Sequence, residues 1–246
     1  SMSAVAVIPA RYGSTRVPGK PLAKIAGKPM LQWVVERAAA ADTIDEVWVA
    51  TDDERIMDAV DEFGGHAVMT STRHRTGTDR IVEALADIDA DLVVNVQGDE
   101  PLVPPAVIDR LVRTMEAGDA EMGTVAVPFD ATSADPQNPN AVKVITDIDG
   151  NALYFSRSLI PFPREGGKPA MPLLHWGLYA YRRDFLDAFV KWPPGRLEQC
   201  EMLEQLRALE NGARIKVITV DTPTQGVDEP GDIAKVERML EKEHNG

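Results

Sequence analysis

Cysteine is nearly absent from this chain: Cys200 is the only one among 246 residues. One thiol cannot close an internal disulfide, so a disulfide-stapled scaffold is excluded and a reducing, cytoplasmic setting is expected. Cys200 lies in the acidic, helix-like stretch Glu198–Glu204, which disfavours a thiolate and argues for an inert side chain. Long apolar runs are missing as well. Ala4–Ala10 is too short for a signal-peptide core and leads straight into Arg11. No later run approaches the ~20 apolar residues of a membrane span, so no membrane partner is expected. Ser1, ahead of Met2, reads as an addition to the natural chain and is left out of the fold reasoning.

Negative charge is missing from one place. No Asp or Glu precedes Glu36, although the chain holds 39 acidic against 26 basic residues and a formal net charge of −13. The same opening stretch carries Arg11, Arg16, Lys20, Lys24 and Lys28. A net-acidic surface disfavours nucleic acid polymers and anionic membranes. A local basic segment within it points instead to a small anionic ligand.

Two common phosphate-binding patterns are also absent. Pro21 follows Lys20 where G-x-x-x-x-G-K-[ST] requires a hydroxyl residue, and G-x-G-x-x-G does not occur. A nucleotide-binding reading is thereby pushed away from P-loop phosphohydrolases and nicotinamide dehydrogenases.

What is present alternates strand and helix. Strand-like runs at Ala4–Pro9, Glu46–Ala50, Ala67–Met69 and Leu92–Val96 are separated by helical patterns at Pro29–Ala41, Asp53–Phe63 and Thr78–Ala86, with a further helix at Pro105–Glu116. Apolar strands alternating with helices predict an α/β fold, a Rossmann-like mixed, mostly parallel sheet with helices on both faces. After Gly123 the pattern changes. Strands at Val125–Val127, Val142–Thr146, Ala152–Phe155 and Leu173–Tyr181 follow one another without helices, and Asp149-Gly150 reads as a hairpin turn. A helix over Glu198–Asn211, a strand over Ile215–Val220 and a helix over Pro230–Lys242 close the chain. No linker separates these parts, so one domain is expected over 1–246. Within it, 4–122 form a nucleotide-binding half, 123–225 an antiparallel insertion, and 226–246 a return loop and C-terminal helix.

Three segments at strand ends carry candidate chemistry, since ligands of open parallel sheets sit beyond the carboxyl ends of the strands. Pro9–Pro21 is a long loop in which Gly13 and Gly19 permit close backbone approach, Ser14 and Thr15 offer hydroxyls, and Arg16 and Lys20 supply charge for phosphate. The competing reading is a solvated basic turn. Asn95–Pro101 places Asp99 after a buried strand, where a carboxylate holds Mg²⁺ against triphosphate oxygens. Gly226–Asp232 contains Asp228 and Asp232, which taken alone read as an N-cap and a first-turn helix charge. Asp52 reads as the N-cap of the helix beginning at Asp53, and His66 and His244 as surface residues.

Together IPARYGSTRVPGKPL (8–22), VATDD (49–53), MTSTRHRTGTDR (69–80), VNVQGDEP (94–101), NPNAVKV (138–144), ALYFSRSLIPF (152–162), HWGLYAYR (175–182), LEQLRALENG (203–212) and GVDEP (226–230) resemble the 3-deoxy-manno-octulosonate cytidylyltransferase (CMP-Kdo synthetase) family. The resemblance implies a Mg²⁺-dependent transfer, CTP + 3-deoxy-D-manno-octulosonate (Kdo) → CMP-Kdo + diphosphate, which activates Kdo for lipopolysaccharide biosynthesis. It also implies a homodimer with the insertion at its interface. By position it implies Arg11, Ser14, Arg16 and Lys20 as triphosphate ligands, and Thr70, Ser71, Arg75, Gly77 and Thr78 on the cytosine and ribose side. Asp99 and Asp228 become the metal pair, which reverses the structural reading of Asp228, and Lys20, Asp99 and Asp228 become the catalytic set. Arg157 is implied for the sugar carboxylate, and Gln97, His175, Tyr179, Glu204 and Gln205 for its hydroxyls. Without the resemblance His175 reads equally as a core histidine, and Glu201, Glu204 and Gln205 as one solvated helix face at i, i+3, i+4 spacing. Thr76 stands where the family pattern leads one to expect serine, and Trp176 is bulkier than the aliphatic residue expected there, which would reshape the wall beside His175. The rivals are CMP transfer to 8-amino-3,8-dideoxy-octulosonate or a nonulosonate, a non-catalytic CTP-binding regulator, and a nicotinamide oxidoreductase.

Overall fold

The structure, a computed structural model, describes residues 2–13, 16–222 and 225–245. It comprises two compact units, residues 1–112 with 224–246, and residues 113–223.

In the first unit strand β1 (Ala4–Ala10) is followed by a tight 3-10 turn at Lys20–Leu22, the two-residue strands β2 (Lys24–Ile25) and β3 (Lys28–Pro29), and helix α1 (Met30–Ala39). Then come β4 (Glu46–Thr51), α2 (Glu54–Glu62), β5 (Ala67–Met69), α3 (Gly77–Ala84), β6 (Leu92–Asn95) and α4 (Pro105–Ala117), whose C-terminal turn enters the second unit. β1 is flanked by β4 and β6, β4 by β5, and all these pairs are parallel. Every residue of β6 is buried, as are six of the seven in β1, which is why these strands read as continuous apolar runs without alternation. The parallel α/β core expected from the sequence is present. Helix α1 begins after Pro29, with Met30, Leu31, Val34, Val35 and Ala38 buried on one face.

One cap is reassigned. Asp53, not Asp52, caps α2, its Oδ1 accepting from the Arg55 amide at 2.8 Å. Asp52 Oδ2 instead accepts from Arg80 Nη2 at 3.2 Å. The difference is one residue of register, which decides whether the carboxylate lies along the helix axis or turns inward.

The second unit holds β7 (Met122–Pro128), β8 (Lys143–Thr146), β9 (Ala152–Ser156), β10 (Leu173–Arg182), helices α5 (Arg183–Phe189), α6 (Arg196–Glu201) and α7 (Leu206–Glu210), and β11 (Ile215–Thr219). β7 pairs with β11 in parallel and with β10 antiparallel, and β10, β8 and β9 continue antiparallel. Helix α8 (Pro230–Asn245) belongs to the first unit, where Val227 and Val236 pack with Ile25, Met30 and Leu102.

The single helix expected over Glu198–Asn211 is two. Met202 between them takes a left-handed conformation (φ 55°) and turns the chain back on itself. Two contacts require that reversal. The Glu210 carboxylate accepts from the Leu197 and Glu198 amides at 3.2 and 3.0 Å, and buried Glu198 forms a two-point ion pair with buried Arg207 at 2.8 and 2.7 Å. A continuous helix would hold Leu197 and Glu210 roughly 20 Å apart at ~1.5 Å per residue. Helix α5 was not foreseen; it follows β10 without a break and buries Phe185, Leu186 and Phe189.

Removing Glu198 leaves a buried guanidinium without its counter-charge, so Glu198→Ala is expected to lower unfolding stability by about 3–5 kcal/mol in urea titration. Glu198→Ala and Arg207→Met together should cost less than Glu198→Ala alone; a larger loss in the double variant would contradict the role given to the pair.

Candidate active site

The candidate site begins where β1 ends. In the first unit a cleft of about 510 Å³ is lined by Ala10, Arg11, Arg16, Lys20, Asp99 and Asp228, with Pro9, Gly13, Pro21, Met30, Gln97 and Gly98. Three strand-end segments noted in the sequence thus line one cavity. Ser14 lies outside the described residues.

Local sequence explains the placement. Gly19 adopts φ +61° at the N-terminus of the 3-10 turn, and a Cβ there would stand 3.0 Å from the Tyr12 hydroxyl. Backbone conformation and ring contact therefore account for this glycine without any ligand. Pro21 in the turn's first positions fixes the backbone that carries Lys20. The Tyr12 ring is covered by Arg55, whose guanidinium carbon lies 3.3 Å from the ring centroid. Gly98 packs closely on β1; a Cβ would come within 3.4 Å of the Pro9 carbonyl.

Two ion pairs cross the cleft. Lys20 Nζ meets Asp99 Oδ2 at 3.1 Å, and Arg16 Nη1 meets Asp228 Oδ2 at 2.8 Å. The two carboxylate segments are joined by a backbone hydrogen bond from the Val227 amide to the Asp99 carbonyl, 2.9 Å. Asp228 is not an N-cap. Asp232 Oδ2 reaches back to the Asp228 and Glu229 amides, both at 3.0 Å, and so satisfies the start of α8 in its place. Burial raises the Asp232 pKa, but these amides and Lys235 more than offset it, leaving the net shift downward. The Asp228 carboxylate is left to face the loop cation. No cluster of three or more His, Cys, Asp or Glu side chains suited to a metal occurs among the described residues. Asp99 and Asp228 on one cleft nonetheless fit the donor set of Mg²⁺, which uses one or two carboxylates and completes its shell with phosphate and water oxygens.

The segment after β5 adjoins this cleft, since a Cβ on Gly77 would lie 3.2 Å from the ring of Pro9. Thr70 is buried and accepts from Arg80 Nη1 at 2.6 Å; Thr78 is buried, Ser71 half-buried and Arg75 exposed. Thr76 caps α3 through its hydroxyl, accepting from the Asp79 amide at 3.1 Å, a role serine fills equally well. Two organisers escaped the sequence reading. Arg80 binds Thr70, the Ser71 carbonyl and Asp52 at once. Glu83 accepts from the Ser71 amide at 2.9 Å and lies 2.8 Å from His74 Nε2; the His74 contact, then the amide, hold its carboxyl below the usual range. Both lie on α3 at i, i+3 spacing, the only hint the sequence offered.

Arg157, His175, Tyr179, Glu204 and Gln205 all lie in the second unit, and Gln97 in the first. Arg157 donates to three backbone carbonyls, Nε to Glu201 at 2.7 Å, Nη1 to Pro139 at 3.0 Å and Nη2 to Met202 at 3.3 Å. One N–H on each Nη remains for a ligand. Its amide and the Ser156 hydroxyl donate to Glu201 Oε1. Tyr154 packs beside that carboxylate, and burial followed by the Glu201 contact pushes its hydroxyl up to about 12. Glu204 and Gln205 fall in the turn between α6 and α7, so Glu201, Glu204 and Gln205 do not share a helix face. Gln205 is buried, and its Nε2 has no hydrogen-bond partner among the described residues.

His175 is half-buried on β10, with Phe155 edge-on at 4.9 Å and Tyr179 at 5.5 Å. Desolvation lowers its pKa to about 3, so the imidazole is neutral, and desolvation together with Glu204 raises the Tyr179 hydroxyl. Trp176 is 4 % exposed and pairs with Val125. Neighbouring strand residues face opposite sides, so Trp176 fills the core and does not form the wall beside His175.

The sequence profile of the Cytidylyltransferase family matches residues 5–215. The chain is 51% identical to a 3-deoxy-manno-octulosonate cytidylyltransferase of Geotalea uraniireducens (strain Rf4), over 98% of this chain and 100% of that one. It is also 51% identical to the enzyme of that name in Vibrio cholerae serotype O1 (strain M66-2), over 97% and 98%. A solved structure of CMP:2-keto-3-deoxy-manno-octonic acid synthetase complexed with CTP superposes with a TM-score of 0.93 at 46% identity, covering 98% of this chain and 99% of that one. The chain belongs to the cytidylyltransferase family, among the 3-deoxy-manno-octulosonate cytidylyltransferases.

Proposed function

We propose that the chain transfers CMP from CTP to Kdo, releasing diphosphate and yielding CMP-Kdo for lipopolysaccharide assembly in the cytoplasm. The observation that carries this reading is the cleft at the end of β1, where Arg16 and Lys20 each meet a carboxylate from another segment. Such a cleft suits a ligand that brings its own negative charge together with a divalent cation.

In this reading the anomeric hydroxyl of the sugar attacks the α-phosphorus in line with the departing diphosphate. The new bond is from the sugar oxygen to phosphorus, the bond to the bridging α,β-oxygen breaks as diphosphate leaves, and the hydroxyl proton passes to water. As in other phosphoryl transfers, positioning and charge neutralisation supply most of the acceleration. Arg16 and Lys20 exchange their carboxylate partners for phosphate oxygens and stabilise the leaving group. Mg²⁺ bound with the triphosphate would be held by Asp99 and Asp228 and would polarise the α-phosphate. Arg11 adds charge at the cleft mouth, and the 70–78 segment borders the nucleoside. On the acceptor side Arg157 offers its remaining N–H groups to the sugar carboxylate. The orphaned Gln205 Nε2 needs an acceptor, which a sugar oxygen supplies.

Homodimerisation through the antiparallel insertion belongs to the same proposal. Among the described residues, five of the seven exposed large apolar side chains lie in the second unit, including Ile148, fully exposed, and Phe162, 82 % exposed.

Three measurements test these points. Diphosphate release from CTP and Mg²⁺ should occur with Kdo, and parallel assays with the 8-amino analogue and a nonulosonate separate the rival sugars; no release with Kdo refutes the assignment. Asp99→Asn should lower kcat by about 10³ or more, the scale of losing a metal-held charge at phosphorus, with an unchanged melting temperature. Near-normal turnover in this variant would remove Asp99 from the catalytic set. Sedimentation should give a dimer that Phe162→Glu combined with Ile148→Glu converts to a monomer, and a wild-type monomer would refute the interface.

A further inference from the structure

Thr124 lies on β7, is fully buried, and sits opposite an irregularity in β10. The pairing runs Trp176 with Val125 and then Tyr179 with Thr124, so Gly177 and Leu178 bulge out of register. Into this bulge Thr124 projects its hydroxyl. Oγ1 lies 2.8 Å from the Leu178 carbonyl, 3.2 Å from the Trp176 carbonyl and 3.0 Å from His175 Nε2.

A hydroxyl has one hydrogen to give. Two of its three neighbours are carbonyl oxygens, which only accept. If that hydrogen went to His175, the hydroxyl oxygen would face two carbonyl oxygens at 2.8 and 3.2 Å with no proton between any of them. If it goes to Leu178, the short contact to His175 is satisfied only by a hydrogen on Nε2. A neutral imidazole carries one N–H, so Nδ1 is then bare. Nδ1 has no hydrogen-bond partner among the described residues.

The geometry points to Thr124 as a positioning residue that locks His175 in its Nε2–H tautomer, so that Nδ1 accepts a hydrogen bond from a ligand hydroxyl. The lock acts as a filter on ligand chemistry. An acceptor-only group, such as a carboxylate or a keto oxygen, is repelled at Nδ1, while a hydroxyl is taken. Gln205 Nε2, a donor without an acceptor, poses the opposite demand within the same unit. A polyhydroxylated ligand meets both because each of its hydroxyls gives and accepts. The inference rests on the reading of the second unit as the sugar-acid side.

The tautomer is read without any sugar. Nitrogen-15 shifts of labelled wild-type protein should show His175 with Nε2 protonated and Nδ1 bare at pH 7.5. A protonated Nδ1 overturns the inference, whatever the enzyme does. Thr124→Val keeps the shape but removes the acceptor, and should abolish that preference, while Thr124→Ser should retain it. In steady-state kinetics Thr124→Val is expected to raise KM for Kdo about tenfold, the scale of one hydrogen bond, with KM for CTP and kcat changed less than threefold. Thr124→Ser should restore KM for Kdo to within about twofold of wild type. An unaltered KM for Kdo in Thr124→Val, or equal loss for both substrates, overturns the positioning role. If Kdo is not turned over by wild-type protein while the Nε2–H tautomer is observed, the substrate reading fails and the tautomer lock stands.

Discussion

Two ion pairs across one cleft link three distant segments of the first unit. Lys20 on Asp99 and Arg16 on Asp228 tie the loop after β1 to the turn after β6 and to the entry of α8. A backbone hydrogen bond from the Val227 amide to the Asp99 carbonyl joins the two carboxylate segments. Two carboxylates brought together repel unless cations lie near them. The free chain meets that need with its own loop, and a metal-bound triphosphate would meet it in another way. In that exchange Arg16 and Lys20, both from the acid-free opening stretch, would pass from carboxylate to phosphate oxygens.

Elsewhere cations act as clamps on backbone. Buried Lys143 donates to the carbonyls of Asn138, Ala141 and Arg157 at 3.0, 2.6 and 2.6 Å. Burial first, then nearby Arg157, lowers its pKa. Arg182 binds the carbonyls of Met115, Gly118 and Ala120 between 2.7 and 2.9 Å. Each of these side chains gathers carbonyls of loops or, for Met115, of the last turn of α4, which meets the constraint on irregular backbone near a core. Arg157 belongs to this group before it belongs to any ligand. Its guanidinium is fixed by three carbonyls, so a bound carboxylate would meet a preorganised partner.

The second unit relies on neutral groups in the same way. Thr124 fills the bulge of β10 and sets the direction in which the His175 imidazole donates. Burial keeps that ring uncharged and keeps Tyr179 protonated. The second unit thus sets neutral hydrogen-bonding groups beside the fixed guanidinium of Arg157.

Legibility in the sequence followed the range of each signal. Apolar runs and glycine stops are local, and they determined the parallel α/β core, the hairpin at Gly150 and the loop that carries Arg16 and Lys20. Charge depletion before Glu36 and the long spaced motifs placed that loop beside Asp99 and Asp228 in expectation. What only the tertiary structure decided depends on partners far apart in the chain. Asp52 turned from cap to Arg80 partner, Asp228 gave its capping role to Asp232, and Glu198–Asn211 broke in two because Glu210 and Arg207 reach back to the start of the first helix. Trp176 went to the core because strand alternation, not side-chain size, sets its face. Residue type and local spacing determined which groups this protein has; the pairing of distant groups decided what each of them faces.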